Sequence, residues 1–328
     1  MLESSHHDLL AQVASMYYEQ EMTQNEIGAQ LGLSRVKVYR LLKQARAERV
    51  VQITIHWPIE RNLELEKQLT QAFGLKEALV LKTLSPNRPP ALPPLGQLAA
   101  HYLERVLTDG STMAVCLGRS TYEVINAISP DFQAKVRVAQ AMGSLPFSMQ
   151  EVDSATLARQ LAQKLDGEVL YLSSPLMADN IKAAKVLRSQ REINRVLRAA
   201  RAADVALLGI GNLDPVTSGF IKAGFITPNE LAELTAQGAV GDVAGQIYTI
   251  DGQLHPSSYN QRVIGITLAE LSQIPISLAV AMGQAKAKAI LGGLRTGAIN
   301  VLCTDDNAAH EVLRLNRATN DTSFTKKN

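Results

Sequence analysis

The chain has 328 residues, 46% of them hydrophobic, with 33 basic against 31 acidic side chains and a net charge of +2. That length holds about two domains, and a nearly neutral total means that a strong local charge has a place rather than being the overflow of a basic protein. No stretch stays apolar for the ~20 residues of a membrane span and no signal-peptide pattern opens the chain, while Cys116 and Cys303 both fall in apolar runs, so a soluble cytoplasmic protein with reduced thiols is expected rather than a disulfide framework.

Leu9, Leu10, Val13, Met16 and Tyr17 recur at helical spacing and predict a first helix. His6 and His7 at its start have no Cys, His or acid at ligand spacing, so they read as a solvated terminus and no metal site is predicted. Thr23-Gln24-Asn25-Glu26 then places a hydroxyl at an N-cap and a carboxylate three residues on, which opens a second helix. Ile27 and Leu31 share one face of it. Gly32-Leu33-Ser34 supplies a turn and another N-cap, and Val38, Leu41 and Leu42 form the inward stripe of a third helix. Gly28 allows the two helices to cross closely. This is the pattern of a helix-turn-helix.

The outward face carries Arg35, Lys37, Arg40, Lys43, Arg46 and Arg49 against one acid, Glu48, a local balance of +5. Arginines for guanine edges, an apolar group for a thymine methyl and cations for phosphates are what a recognition helix needs. The predicted DNA-contact set is Thr23, Gln24, Ser34, Arg35, Val36, Lys37, Tyr39 and Arg40; the simpler reading is an amphipathic helix pair with a solvated basic face. Residues 50–55 are β-branched and predict a short wing-type strand ending at Trp57-Pro58, which closes a DNA-binding domain at residues 1–57.

Leu63, Leu65, Leu69 and Phe73 predict a connecting helix, followed by a strand over 78–84. Residues 85–94 hold five of the thirteen prolines and read as an extended, semi-rigid connection, so 58–94 is expected to link two domains. Over 95–315, apolar runs at 113–117, 136–141, 168–172, 205–208, 263–266, 276–281 and 299–304 alternate with amphipathic segments. That rhythm predicts an α/β fold, Rossmann-like, with a mostly parallel sheet covered on both faces. Residues 316–328 are polar and read as a disordered tail.

In such folds ligands sit beyond the carboxyl ends of the strands. Gly118-Arg119-Ser120-Thr121 follows one strand and opens a helix, a good phosphate seat. Met142-Gly143-Ser144, Gly209-Ile210-Gly211-Asn212 and Met282-Gly283-Gln284-Ala285-Lys286 follow others, and Asp242 lies in the glycine-flanked run 238–242. Each alone is a short glycine turn that any strand-to-helix connection needs; their agreement on one sheet edge carries the weight. Neither a dinucleotide fingerprint nor a phosphate loop ending in Lys-Ser/Thr is present, so no nicotinamide or ATP cofactor is predicted and a small phosphorylated or polyhydroxylated ligand fits better. Lys182, Lys185, Arg188, Arg191, Arg195, Arg198 and Arg201 form a basic helical face, read chiefly as solvated and secondarily as a further nucleic-acid or subunit contact.

The order of these parts resembles the SorC family of sugar-sensing bacterial transcription regulators. The resemblance rests on Met22-Thr23-Gln24-Asn25-Glu26-Ile27, on residues 33–42, and on Gly118-Arg119-Ser120-Thr121, Leu208-Gly209-Ile210-Gly211, residues 238–242, Lys286 and Thr304-Asp305. It implies a large domain folded like sugar-phosphate isomerases but acting as an effector sensor, double-stranded operator DNA and a sugar or sugar phosphate as partners, and a homo-oligomer, dimer or tetramer. Gly118, Arg119, Ser120, Thr121, Gly143 and Ser144 would hold the effector's phosphate or hydroxyls, and Asp242 and Lys286 its sugar part. The competing class is an isomerase or deaminase with Asp242 as base and Lys286 as electrostatic stabiliser, but a capped recognition helix has no use there and no His accompanies Asp242 in the sequence. An RNA-binding protein would need aromatic stacking platforms that the sequence lacks.

Overall fold

The computed structural model describes residues 2–48, 50, 51, 53, 55, 57–83, 91–116, 118–144 and 154–325. The chain divides into two compact units, Met1–His56 and Trp57–Asn328.

Among its described residues the first unit has three helices: α1 (Leu2–Tyr18), α2 (Gln24–Leu31) and α3 (Arg35–Ala47). Leu10, Val13 and Met16 of α1, Ile27 of α2, and Val38, Leu41, Leu42 and Ala45 of α3 close one small core. The capping box forms: Thr23 N–H donates to Glu26 Oε2 at 2.8 Å and Glu26 N–H to Thr23 Oγ1 at 3.3 Å. Gly32 ends α2 at φ 65°, a conformation costly to residues with a Cβ. Gly28 is needed for the turn itself, since a Cβ there would lie 2.6 Å from the Leu33 carbonyl oxygen. His6 and His7 are not a loose terminus: His6 hydrogen-bonds Gln44 at 2.8 Å and His7 faces Glu48 at 3.7 Å, tying α1 to the end of α3. The expected wing strand is absent at Val50, Val51, Ile53 and Ile55, where no neighbouring strand is on hand to pair; Gln52, Thr54 and Arg49 lie outside the described residues.

The second unit holds strands β1 (Glu77–Leu81), β2 (Thr112–Val115), β3 (Arg137–Gln140), β4 (Val169–Leu170), β5 (Val205–Gly209), β6 (Gly211–Asn212), β7 (Ala239–Val243), β8 (Gln246–Thr249), β9 (Ile276–Val280) and β10 (Val301–Asp305). Seven form a sheet in the order β1-β10-β9-β5-β2-β3-β4, every pair parallel. Alternate residues fill two cores. Val80, Ala78, Ala114, Ala139, Ala206 and Ala279 face one, and Leu79, Met113, Val115, Val138, Leu207 and Val280 the other. The alanine-rich face lets helices approach closely, as period-2 strands buried on both sides allow. β6, β7 and β8 make a separate antiparallel sheet, ended by a tight hairpin with Ala244 at φ 52° and Gly245 at φ 81°.

Three expectations fail here. Residues 58–94 are not simply a linker: β1 is the edge strand of the main sheet, helix Leu63–Phe73 buries Leu65 and Leu69 in its core, and Pro93 and Pro94 fall in the opening turn of helix Leu92–Val106, where a missing N–H costs nothing. Residues 84–90 lie outside the described residues. Residues 263–266 form no strand but isolated bridges, Met142 with Gly265 and Met177 with Val263. The chain also stays helical past Leu315, in helix Asp306–Thr325, and Arg295 reaches Asn316 and Thr319 there.

Candidate functional site

On the first unit, the side chains of Ser34, Arg35, Val36, Lys37, Tyr39 and Arg40 are exposed while Val38, Leu41 and Leu42 face the core. Val36 and Tyr39 are 58% and 55% exposed, an arrangement with no role in the unit's own packing. Thr23, Gln24 and Arg35 line one surface groove with Tyr17, Glu21 and Asn25. The hydroxyls of Thr23 and Ser34 are engaged in capping, Ser34 Oγ accepting from Lys37 N–H at 3.2 Å, so they set the helix starts that aim the cations. Glu48 is turned to His7 and Gln44, and among the described residues no acid pairs with the Arg and Lys row of α3.

In the second unit β2 and β5 are adjacent, while the chain after β2 runs on to β3 and β4 on one side and after β5 to β9 and β10 on the other. The strand order reverses between them, and ligands of open α/β sheets bind in that crevice. Gly118 packs there, a Cβ on it falling 3.7 Å from the Gly209 Cα. It opens helix Arg119–Ala127 with no side-chain cap on the first-turn amides, and Arg119 is exposed beside them. Thr121 is fully buried and its hydroxyl hydrogen-bonds Gly118 O at 2.8 Å, with Cys116 O at 3.1 Å. It shapes the loop from within; Ser120 is also buried.

Lys286 comes in from the β9 side, its Nζ donating to Ile210 O at 2.6 Å, on a short turn that begins at Gly283 with φ 90°. Asp242 comes in from β7, in register with Gly211. A Cβ on Gly211 would lie 1.9 Å from Asp242 Oδ1, so glycine is what lets the carboxylate occupy this place. Burial pushes the Asp242 carboxyl up to about 6, against the Lys286 charge and the Gly245 amide that hold it down. Burial likewise pushes Lys286 below the usual ammonium range, with Asp242 opposing and Arg119 adding to the fall. Arg119, Asp242 and Lys286 therefore share one electrostatic site, assembled from three separate stretches of chain.

Gly143 and Ser144 play another part. Their amides go to Ile264 O and Ser174 O, each at 2.9 Å, Ser144 Oγ accepts from Gln140 at 3.3 Å, and a Cβ on Gly143 would lie 2.2 Å from Pro175 O. The loop is bound into the protein rather than presenting its amides outward. Glycine patterning also hid the nature of residues 239–242: after a turn at Gly238 they belong to β7, where Gly241 admits Ala289, 2.6 Å from a Cβ placed there.

The sequence reading missed Ser218 and Tyr259, 2% and 5% exposed, whose hydroxyls have no hydrogen-bond partner among the described residues. Tyr259 stacks edge-on against Phe220, centroids 5.5 Å apart. Its phenol is held well above the usual range by burial and then by Asp242, with Arg262 opposing, which places it in the field of the same carboxylate. Buried hydroxyls without partners are uncommon and call for a specific explanation. At the end of β10, Asp305 accepts from Gly283 N–H at 2.7 Å through Oδ1, while its Oδ2 and Thr304 Oγ1 have no partner among the described residues.

Comparison with known proteins agrees with this division. Residues 57–314 match the sugar-binding domain family Sugar-bind, and residues 10–48 match sigma-70 region 4. The chain is 34% identical over 314 residues to the transcriptional regulator LsrR of Klebsiella pneumoniae, covering 94% of this chain and 93% of that one. It is 29% identical over 305 residues to the deoxyribonucleoside regulator of Bacillus subtilis, covering 93% and 97%. The crystal structure of the full-length sorbitol operon regulator SorC from Klebsiella pneumoniae superposes with a TM-score of 0.70 at 30% identity, over 94% of this chain and 99% of that one. These relatives are regulators rather than isomerases or deaminases. With a helix-turn-helix unit followed by a sugar-binding domain, the chain belongs to the SorC family of DNA-binding transcriptional regulators.

Proposed function

We propose that the protein controls a carbohydrate-metabolism operon and that its operator affinity is set by a sugar or sugar phosphate bound in the crevice between β2, β5 and β9. The observation that carries this is that Lys286, bonded to Ile210 O beside the Gly118–Gly209 approach, lies in the fields of both the buried Asp242 carboxylate and Arg119. Cations beside uncapped helix amides suit a phosphate, and a carboxylate suits the hydroxyls of a sugar. Tyr259, in the field of Asp242, adds a buried hydroxyl able to donate and accept. Gly118 allows close approach, Ser120 and Thr121 set the loop, and Gly143 and Ser144 brace the neighbouring wall. Relatives named for a sorbitol operon and for deoxyribonucleosides support a polyhydroxylated ligand.

Occupancy of the crevice would alter operator affinity by favouring one association of the large units over another, so that ligand and DNA each bias the same equilibrium. A thermal-shift screen against sugars and sugar phosphates identifies the effector. Titration calorimetry then checks the site: Arg119→Ala and Lys286→Ala each weaken effector binding by more than about 1 kcal/mol, as loss of a bond to a charged group should, and leave ligand-free DNA binding intact. Parent-like affinity in both variants removes the assignment of this crevice.

A further inference from the structure

The basic run at residues 182–201 is not absorbed by either site. It folds as two helices, Ile181–Ser189 and Arg191–Arg201, broken only at Gln190. Their inner sides bury Ala184, Ile193, Val196, Leu197 and Ala200. Two of the cations are used within the protein: Arg188 donates to Val263 O, and Arg201 pairs with Glu270 at 2.6 Å. Lys182, Lys185, Arg191, Arg195 and Arg198 remain exposed, and among the described residues only Arg195 of these has an ion pair, with Glu192.

A solvated helix face ordinarily mixes signs, which lowers its self-repulsion. Here Arg191, Arg195 and Arg198 stand at i, i+4 and i+7, and Lys182 and Lys185 at i and i+3, so neighbours on the same face repel. The whole chain is only +2, so this concentration is local, and it lies on a different unit from the recognition helix. Arg191 and Arg198 are about 10 Å apart along the helix at 1.5 Å per residue, a rigid row of guanidiniums suited to phosphate oxygens.

We propose that this face is a second DNA-contacting surface, gripping the phosphate backbone of duplex outside the base pairs read by α3. Duplex DNA is favoured over an acidic protein because the first unit already brings it to the same chain, at high effective concentration. The contact is with phosphate alone and adds affinity without sequence preference.

The test uses the full-length protein and the Lys182→Ala/Lys185→Ala/Arg191→Ala/Arg198→Ala variant, with melting curves matched to the parent. Binding to a random-sequence duplex of about 60 base pairs is measured across a salt series; with ~0.9 per phosphate neutralised, the slope of log affinity against log salt should fall in magnitude by roughly 3–4. Preference for promoter over random duplex is retained, whereas it falls in Arg35→Ala, which separates this surface from the recognition helix. If the four changes disturb folding, Arg191→Gln/Arg198→Gln serves instead, with an expected fall of about 2. A slope within about 1 of the parent overturns the proposal, and so does a parent-like slope accompanied by a changed sedimentation coefficient, which would make the face a contact between protein chains.

Discussion

Tyr259 shows how one side chain can be costly to the fold and useful to the site. Its hydroxyl is buried without a partner, and such a group costs about 1–3 kcal/mol of desolvation. Tyr259→Phe should therefore leave the ligand-free protein as stable or raise it by up to about 1 kcal/mol, visible in a melting curve, while effector affinity by calorimetry falls several-fold. A loss of stability with unchanged affinity would mark Tyr259 as a packing residue only. Asp242 carries a pH dependence whose sign follows from its raised carboxyl. The folded state keeps a proton up to about 6 that the unfolded chain releases near the ordinary Asp value of 3.8. Stability contributed by this group falls as pH rises through that window and is level above it. Effector affinity should run the other way if the ionised carboxylate accepts sugar hydroxyls, rising between about pH 5 and 7, and Asp242→Asn should flatten both trends. Calorimetry across that range, parent against variant, checks it.

Among the elements, α3 is set by its ends and its inner stripe, which leaves its outer face free to be chosen for DNA. Ser34 starts it, Val38, Leu41 and Leu42 seat it, and Arg35, Lys37 and Arg40 project. Arg35→Ala or Arg40→Ala should weaken operator binding by about 1–3 kcal/mol each, the value of a base-edge contact, with effector affinity unchanged; gel shifts at fixed salt measure it. These helices were legible because capping, turn and periodicity are local. The strands of the main sheet were legible too, as apolar runs, but 263–266 was not distinguishable from them: an apolar run becomes a strand only where neighbours offer an open edge. β6 and β7 were hidden for the opposite reason, since Gly211 and Gly241 in them serve close approach to Asp242 and Ala289 rather than turns.

At the scale of the molecule, one recognition helix spans only a few base pairs, and family membership places a sugar-binding domain behind it. Operator selectivity then needs at least two such helices, spaced about one helical turn or a multiple apart. We expect an oligomer of even number, dimer or tetramer, and light scattering at micromolar concentration checks it; a monomer with and without ligand would contradict it.

By itself the sequence determined the helix-turn-helix, the α/β rhythm and four of the loops that reach one sheet edge, because each depends on residues a few positions apart. Tertiary structure decided which residues meet. Asp242, Gly211, Lys286 and Arg119 come from four elements far apart in the chain, and it is strand order that brings them to one crevice. It also turned the Gly143-Ser144 amides inward to backbone carbonyls and drew residues 63–73 and 77–81 into the large unit. The buried hydroxyls of Ser218 and Tyr259 have no partner among the described residues, a property that belongs to a packed environment and has no trace in residue order.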